Sequence, residues 1–161
     1  MSNALDGPTP GFLVWRLSMK WRVAIDRALG PLGLTHAQYS LLGSLLGMQR
    51  TGLRPSQRAL ADHTGLEALY VSKLARSLEA AGLVERAADP ADTRAVQLSL
   101  TAEGLEVADR AVEIVRRLVD GLLAPLGGLD GPDAEAFTRA LTALLDVPVP
   151  AVTDPSTEES S

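Results

Sequence analysis

The sequence predicts a mainly α-helical fold with one small β-hairpin, on three observations. Leucine and alanine supply 28 and 23 of the 161 residues while aromatics make up 4%, which favours aliphatic helix packing over a β-sandwich. Apolar residues recur at helical spacing in six segments bounded by capping residues, Gly or Pro. Only two short runs, 83–88 and 95–100, read as strands.

Residues 1–10 hold Gly7, Pro8 and Pro10 and read as a flexible arm. A first helix follows over 11–29. Its apolar residues, among them Phe12, Trp15, Met19, Val23 and Ile25, spread too widely for one stripe, so more than one neighbour must cover them. Gly30-Pro31-Leu32-Gly33 breaks this helix, and Thr35 caps a second one that runs to about Met48. Ser56 caps a short third helix, which Gly65 stops. A fourth helix spans 67–81 and ends at Gly82. The run Asp89-Pro90-Ala91-Asp92-Thr93-Arg94 between the two strands has the chemistry of a hairpin tip.

Thr101 caps a long helix over 102–124, terminated by Pro125 and Gly127-Gly128. Its charged residues share one half of the helical wheel, and the apolar half carries two seams. One is Leu105, Ala108, Val112, Val115, Val119 and Leu122; the other is Val107, Ala111, Ile114 and Leu118. A half-apolar helix suits either a central core position in a monomer or a dimer seam, and the paired seams favour the dimer. A last helix over 132–146 aligns Phe137, Leu141, Leu144 and Leu145, and the Pro-, Ser- and Glu-rich stretch 147–161 reads as a disordered tail.

Composition excludes several function classes. Cysteine is absent, which removes disulfides, thiolate metal sites and Cys nucleophiles. With His36 and His63 as the only histidines, no metal site and no cofactor is expected. Gly43-Ser44-Leu45-Leu46-Gly47 has the wrong spacing for a nucleophile elbow, and neither a Walker loop nor a zinc-protease pair occurs, so the chain is not expected to be an enzyme. His63 suits a cap or the surface better than a general base. The uncharged run 28–49 contains Gly30, Pro31, Gly33, His36, Gln38 and Gln49, so it reads as two helices and a turn rather than a membrane span. No secretory signal pattern opens the chain, and a cytoplasmic location is expected.

The net charge of −5 is unevenly distributed: +2 over 1–49, +1 over 50–100 and −8 over 101–161. A polyanion can therefore approach the middle of the chain. There, helix, Gly-containing turn, helix and hairpin follow in the order of a winged helix-turn-helix. On the fourth helix Val71, Leu74, Ala75 and Leu78 share a face that should lock onto the core. The opposite face carries Leu69, Ser72, Lys73 and Arg76, with Tyr70 and Ser77 at its edge. Lys and Arg donate to guanine or phosphate, and Ser to either. Leu69 meets a thymine methyl or packs on its own preceding turn. Ser56 and Arg58 at the start of the third helix complete the expected DNA-binding set. Arg94 beyond the hairpin tip can enter a narrow A·T minor groove, while Asp92 is expected to hold Arg94 or Arg86 in place.

Residues 56–104 resemble the MarR family of bacterial transcriptional regulators. The matching pieces are Leu60-Ala61, Val71-Ser72-Lys73-Leu74, the run from Leu78 to Arg86, Asp92-x-Arg94 and Leu100-Thr101-x-x-Gly104, with Leu34-Thr35-x-x-Gln38-Tyr39 upstream. The resemblance implies a winged helix-turn-helix over 35–100 and an all-helical dimerisation region over 11–34 and 101–146. It also implies a homodimer on double-stranded DNA, with half-sites about one helical turn apart in a pseudo-palindromic operator. Such regulators are mostly repressors released by small aromatic or lipophilic effectors, for which Trp15, Met19, His36 and Tyr39 are candidate contacts. Three positions depart from the family pattern: Glu67 where Ser or Thr often caps the fourth helix, Thr93 at a commonly basic wing site, and no Cys for a thiol switch. The alternative is an activator without a small-molecule effector, or a winged-helix protein-interaction module that no longer binds DNA.

Overall fold

A computed structural model of the chain describes residues 7–149. Most of the expected arm (1–6) and tail (150–161) therefore lies outside the described residues. Among the described residues six α-helices and one antiparallel hairpin follow in the expected order. They fall into two compact units, one through Leu118 and one from Val119.

In the first unit, α1 (Pro10–Leu29) starts at Pro10, one residue before the expected start, because the Thr9 side chain accepts the Phe12 N–H and a proline suits the first turn. A 3-10 turn at Gly30–Leu32 ends at Gly33, whose φ of 67° is open to glycine. Helix α2 (His36–Arg50) opens with a full capping box between Thr35 and Gln38. Helix α3 (Gln57–Thr64) is capped by the Ser56 side chain. Helix α4 spans Ala68–Ala80, one residue shorter at each end than expected.

Strands β1 (Val84–Ala88) and β2 (Val96–Leu100) pair with Val84 opposite Leu100 and Ala88 opposite Val96. Each is shorter than expected by its first residue. A third segment contributes to the hairpin. Ser56 forms an isolated bridge to Gln97, and Leu98 N–H donates to Pro55 O at 3.0 Å. The segment entering α3 thus also ties the wing to the helices.

The core of this unit is aliphatic. Leu29, Leu41, Leu42, Leu45, Leu60, Val71, Leu78 and Leu98 are all fully buried, and among the described residues no polar or charged residue is. Helix α5 (Ala102–Leu122) joins the wing at a tight crossing. Thr101 Oγ1 accepts the Gly104 N–H at 2.9 Å and donates to Gly82 O at 2.7 Å, while Thr101 N–H donates to Leu83 O at 3.1 Å. A Cβ at Gly104 would overlap the Leu83 carbonyl oxygen. Of the α5 seams, Ala108, Ala111 and Val115 are buried, and Leu105 stays 39% exposed.

The second unit holds the end of α5, a 3-10 turn at Ala124–Leu126, and α6 (Pro132–Leu145). Helix α5 stops two residues earlier than expected, and Pro125 sits in the first turn of the 3-10 segment instead. Gly131 lies against Leu126 and Gly127, leaving no room for a Cβ. Along α6, Phe137 and Leu141 are half-buried, whereas Leu144 and Leu145 are exposed.

Candidate nucleic-acid interface

The turn between α3 and α4 sets the interface. Gly65 adopts φ 72° and donates its N–H to Ala61 O, which closes α3 and redirects the chain. Thr64 Oγ1 donates to Leu60 O at 2.7 Å and accepts the Leu66 N–H at 3.4 Å. Glu67 occupies the N-cap of α4 and makes no side-chain capping bond, so its carboxylate remains at the surface near the positive end of the helix dipole.

Helix α4 divides cleanly. Val71, Leu74, Ala75 and Leu78 are buried. Leu69 is 77% exposed, Tyr70, Lys73 and Arg76 are exposed, and Ser72 is half-buried. Together with Glu67 these five line a surface concavity of about 510 Å³. Leu69 therefore does not pack into its own core, and it offers an apolar contact at the mouth of a polar and cationic surface.

The wing tip is pinned by two aspartates acting through the backbone. Asp89 Oδ1 accepts the Ala91 N–H at 2.8 Å, and Asp92 Oδ1 accepts the Arg94 N–H at 3.0 Å. Asp89 N–H also donates to Ala95 O and Ala95 N–H to Asp92 O, so the tip is a closed turn. Arg94 projects exposed from it. Arg86 is held from another direction: its Nε donates to Glu79 Oε2 at 2.8 Å, which ties β1 to the end of α4.

Among the described residues Lys73, Arg76 and Arg94 make no ion pair. Arg58 on α3 faces Asp62 at 3.8 Å, both strongly exposed, a contact worth little in water. The Ser56 hydroxyl accepts the Ala59 N–H at 3.1 Å as a cap, and it keeps its own hydrogen to donate.

The four candidate effector residues are not gathered into one site. Trp15 and Met19 line a groove of about 570 Å³ along α1, with Val23 and the cations Arg16, Lys20 and Arg27. His36 lies in a smaller cleft of about 260 Å³ with Arg22, Asp26 and Tyr70. Burial pushes its imidazole below the usual value, opposed by Asp26 and reinforced by Arg22. Tyr39 lines a third cleft of about 550 Å³ with small residues of α2 and with His63, and burial raises its phenol. Among the described residues no cluster of His, Asp and Glu could hold a metal ion, and no helix is long and apolar enough to cross a membrane.

Two residues of this region each take a role that only the fold shows. Gln38 closes the capping box and also donates from Nε2 to Ser77 Oγ on α4 at 3.2 Å. The Thr-x-x-Gln spacing at 35–38 was the available signal for the first role. Glu79 reaches Arg86 only through the fold.

The sequence profile of the MarR family matches residues 32–95. An uncharacterised HTH-type transcriptional regulator of Bacillus subtilis, YdcH, is 36% identical over 124 residues, which cover 76% of this chain and 84% of YdcH. The chain belongs to the MarR family. The HTH-type transcriptional repressor Rv2887 of Mycobacterium tuberculosis is 35% identical over 144 residues, 89% of this chain and 98% of that one. Its crystal structure with salicylic acid superposes with a TM-score of 0.64 at 32% identity, covering 86% of this chain and 98% of that one. The MepR–DNA complex of S. aureus superposes with a TM-score of 0.75 at 27% identity, over 86% of this chain and 97% of MepR. This MarR-family chain is thus a DNA-binding transcriptional regulator with a winged-helix fold.

Proposed function

We propose that this MarR-family regulator is a homodimeric repressor that binds a pseudo-palindromic operator and is released by a small aromatic or lipophilic ligand. The observation that carries the reading is that Lys73 and Arg76 on α4 and Arg94 on the wing are exposed and, among the described residues, make no ion pair. A folded chain leaves such cations unpaired at low cost only on a surface that a solvent or polyanion can reach, and duplex DNA supplies both phosphates and guanine edges. Within this reading Lys73 and Arg76 enter the major groove with Ser72 and Tyr70, Leu69 meets a thymine methyl, and Arg94 enters the flanking minor groove. Ser56 and Arg58 touch the backbone, and Arg86 and Asp92 keep the wing in shape.

Dimerisation is supported by apolar surface that each unit leaves open. On α1 Phe12, Leu13, Val14 and Trp15 are about half exposed; on α6 Leu144 and Leu145 are 66% and 85% exposed. Full burial of a side chain of this size is worth about 1.5–3 kcal/mol, so covering a half-exposed one gains roughly half of that. The division of labour is then 35–100 for DNA and 11–34 with 101–146 for the dimer. Release by an aromatic acid is supported by the similarity to Rv2887, whose structure holds salicylic acid. The reading places the regulator in the cytoplasm, and no catalytic step, cofactor or metal enters it.

In vitro selection from random duplex DNA at moderate salt tests the proposal. Enrichment of an inverted repeat is the expected result, and a panel of small aromatic acids should lower its recovery. Selection without any enriched motif would overturn the reading.

A further inference from the structure

We propose that Gln38 is a positioning residue for DNA recognition, acting through Ser77 to fix the rotation of α4 and hence the aim of Lys73 and Arg76; the inference rests on the DNA-binding reading above. The Gln38 amide is used at both ends. Its Oε1 accepts the Thr35 N–H at 2.9 Å and faces the Thr35 hydroxyl at 3.4 Å, while its backbone N–H donates to Thr35 Oγ1 at 3.2 Å. With Oε1 committed to Thr35, the amide can only present Nε2 outward, and Nε2 donates to Ser77 Oγ at 3.2 Å.

The direction of this bond matters because the rest of the α2–α4 contact is non-directional. Buried Leu41, Leu42 and Leu45 on α2, and Val71, Leu74 and Leu78 on α4, set how closely the helices approach. Apolar burial alone tolerates small rotations of a helix about its own axis. Among the described residues Gln38–Ser77 is the only side-chain hydrogen bond between the two helices. Ser77 lies four residues after Lys73, so the two share a ridge, and it directly follows Arg76. Long side chains magnify any rotation at their tips, where the base edges are read.

The anchor is itself held from α1. Asp26 Oδ1 accepts the His36 N–H at 2.6 Å, so the first turn of α2 is fixed to α1 at the point from which Gln38 reaches α4.

The test uses the full chain and the ratio of its affinities for the selected operator and for a random duplex. Ser77→Ala leaves the capping box intact, and Gln38→Met keeps the side-chain length without polar atoms. Each single variant should lower the ratio about fivefold, the size of one net hydrogen bond, and the double variant should lower it no further. Gln38→Glu, which still accepts from Thr35 and from the Ser77 hydroxyl, should restore the ratio relative to Gln38→Met. The melting temperature should fall further in Gln38→Met, which also loses the Oε1 bond to Thr35, than in Ser77→Ala, while the two lower the ratio equally, which separates aim from stability. Singles with the wild-type ratio would overturn the proposal. So would additive losses, which would make Ser77 a DNA contact independent of Gln38. A wild-type chain that prefers no operator would show that the DNA reading had failed first, before any variant is compared.

Discussion

Helix α4 buries its whole apolar ridge, Val71, Leu74, Ala75 and Leu78, and turns Lys73 and Arg76 outward. Helix α1 does the reverse over about its first two thirds. Phe12, Leu13, Val14, Trp15, Met19 and Val23 are exposed, and burial is confined to Ile25 and Leu29 near its end. Both helices are rich in apolar residues, yet one is completed by its own unit and the other is not. In the proposed function the contrast separates two uses of surface: a finished lobe that would offer charge to DNA, and an unfinished helix that would offer apolar area to a second copy of the chain.

The largest effect is expected where the finished lobe joins α5. Gly104→Val drives a side chain into the Leu83 carbonyl and should lower the unfolding free energy by about 3 kcal/mol, as read by urea denaturation. A near-neutral result would mean that the wing and α5 are free to separate. On the unfinished side, Phe12→Ser with Trp15→Ser should weaken self-association about a hundredfold or more, with the helical circular dichroism signal retained. Sedimentation equilibrium reads this directly, and unchanged association would remove α1 from the seam.

Smaller effects distinguish the two cationic elements within the finished lobe. Arg76→Ala should cost about tenfold in discrimination at base pairs inside the half-site. Arg94→Ala should cost less and only in the A·T preference of the flanks; selections repeated with each variant report both. The smallest effect concerns His36. Burial holds its folded-state pKa below the unfolded value, so the unfolded chain binds the proton more readily. Its contribution to stability is complete above about pH 6.5 and is lost as pH falls through that value toward the lower folded one. Melting temperature followed from pH 7.5 to 5.5 should drop less in His36→Gln than in the wild type.

The sequence made the order of elements legible because each boundary carries its own local chemistry. Thr35, Ser56 and Thr101 cap, while Gly33, Gly65 and Gly82 turn with positive φ. The buried face of α4 was legible for the same reason, since a 3.6-residue period needs no tertiary information. What the residues did not disclose depends on pairs distant in the chain. The bridge from Ser56 to Gln97 hides behind a residue that already reads as a cap. The pairing of Arg86 with Glu79, and of Gln38 with Ser77, follows from how α4 crosses its neighbours. Candidate effector contacts on α1 and α2 looked alike in the sequence, and the fold distributes them over three clefts.

In the proposed complex Lys73, Arg76 and Arg94 carry the contact with DNA. The dependence of operator affinity on salt, measured for the wild type and for the triple alanine variant, tests it most directly. A steep fall is expected for the wild type and, for the variant, a slope shallower by about 1 for each phosphate contact removed. Equal slopes for the two proteins would contradict it.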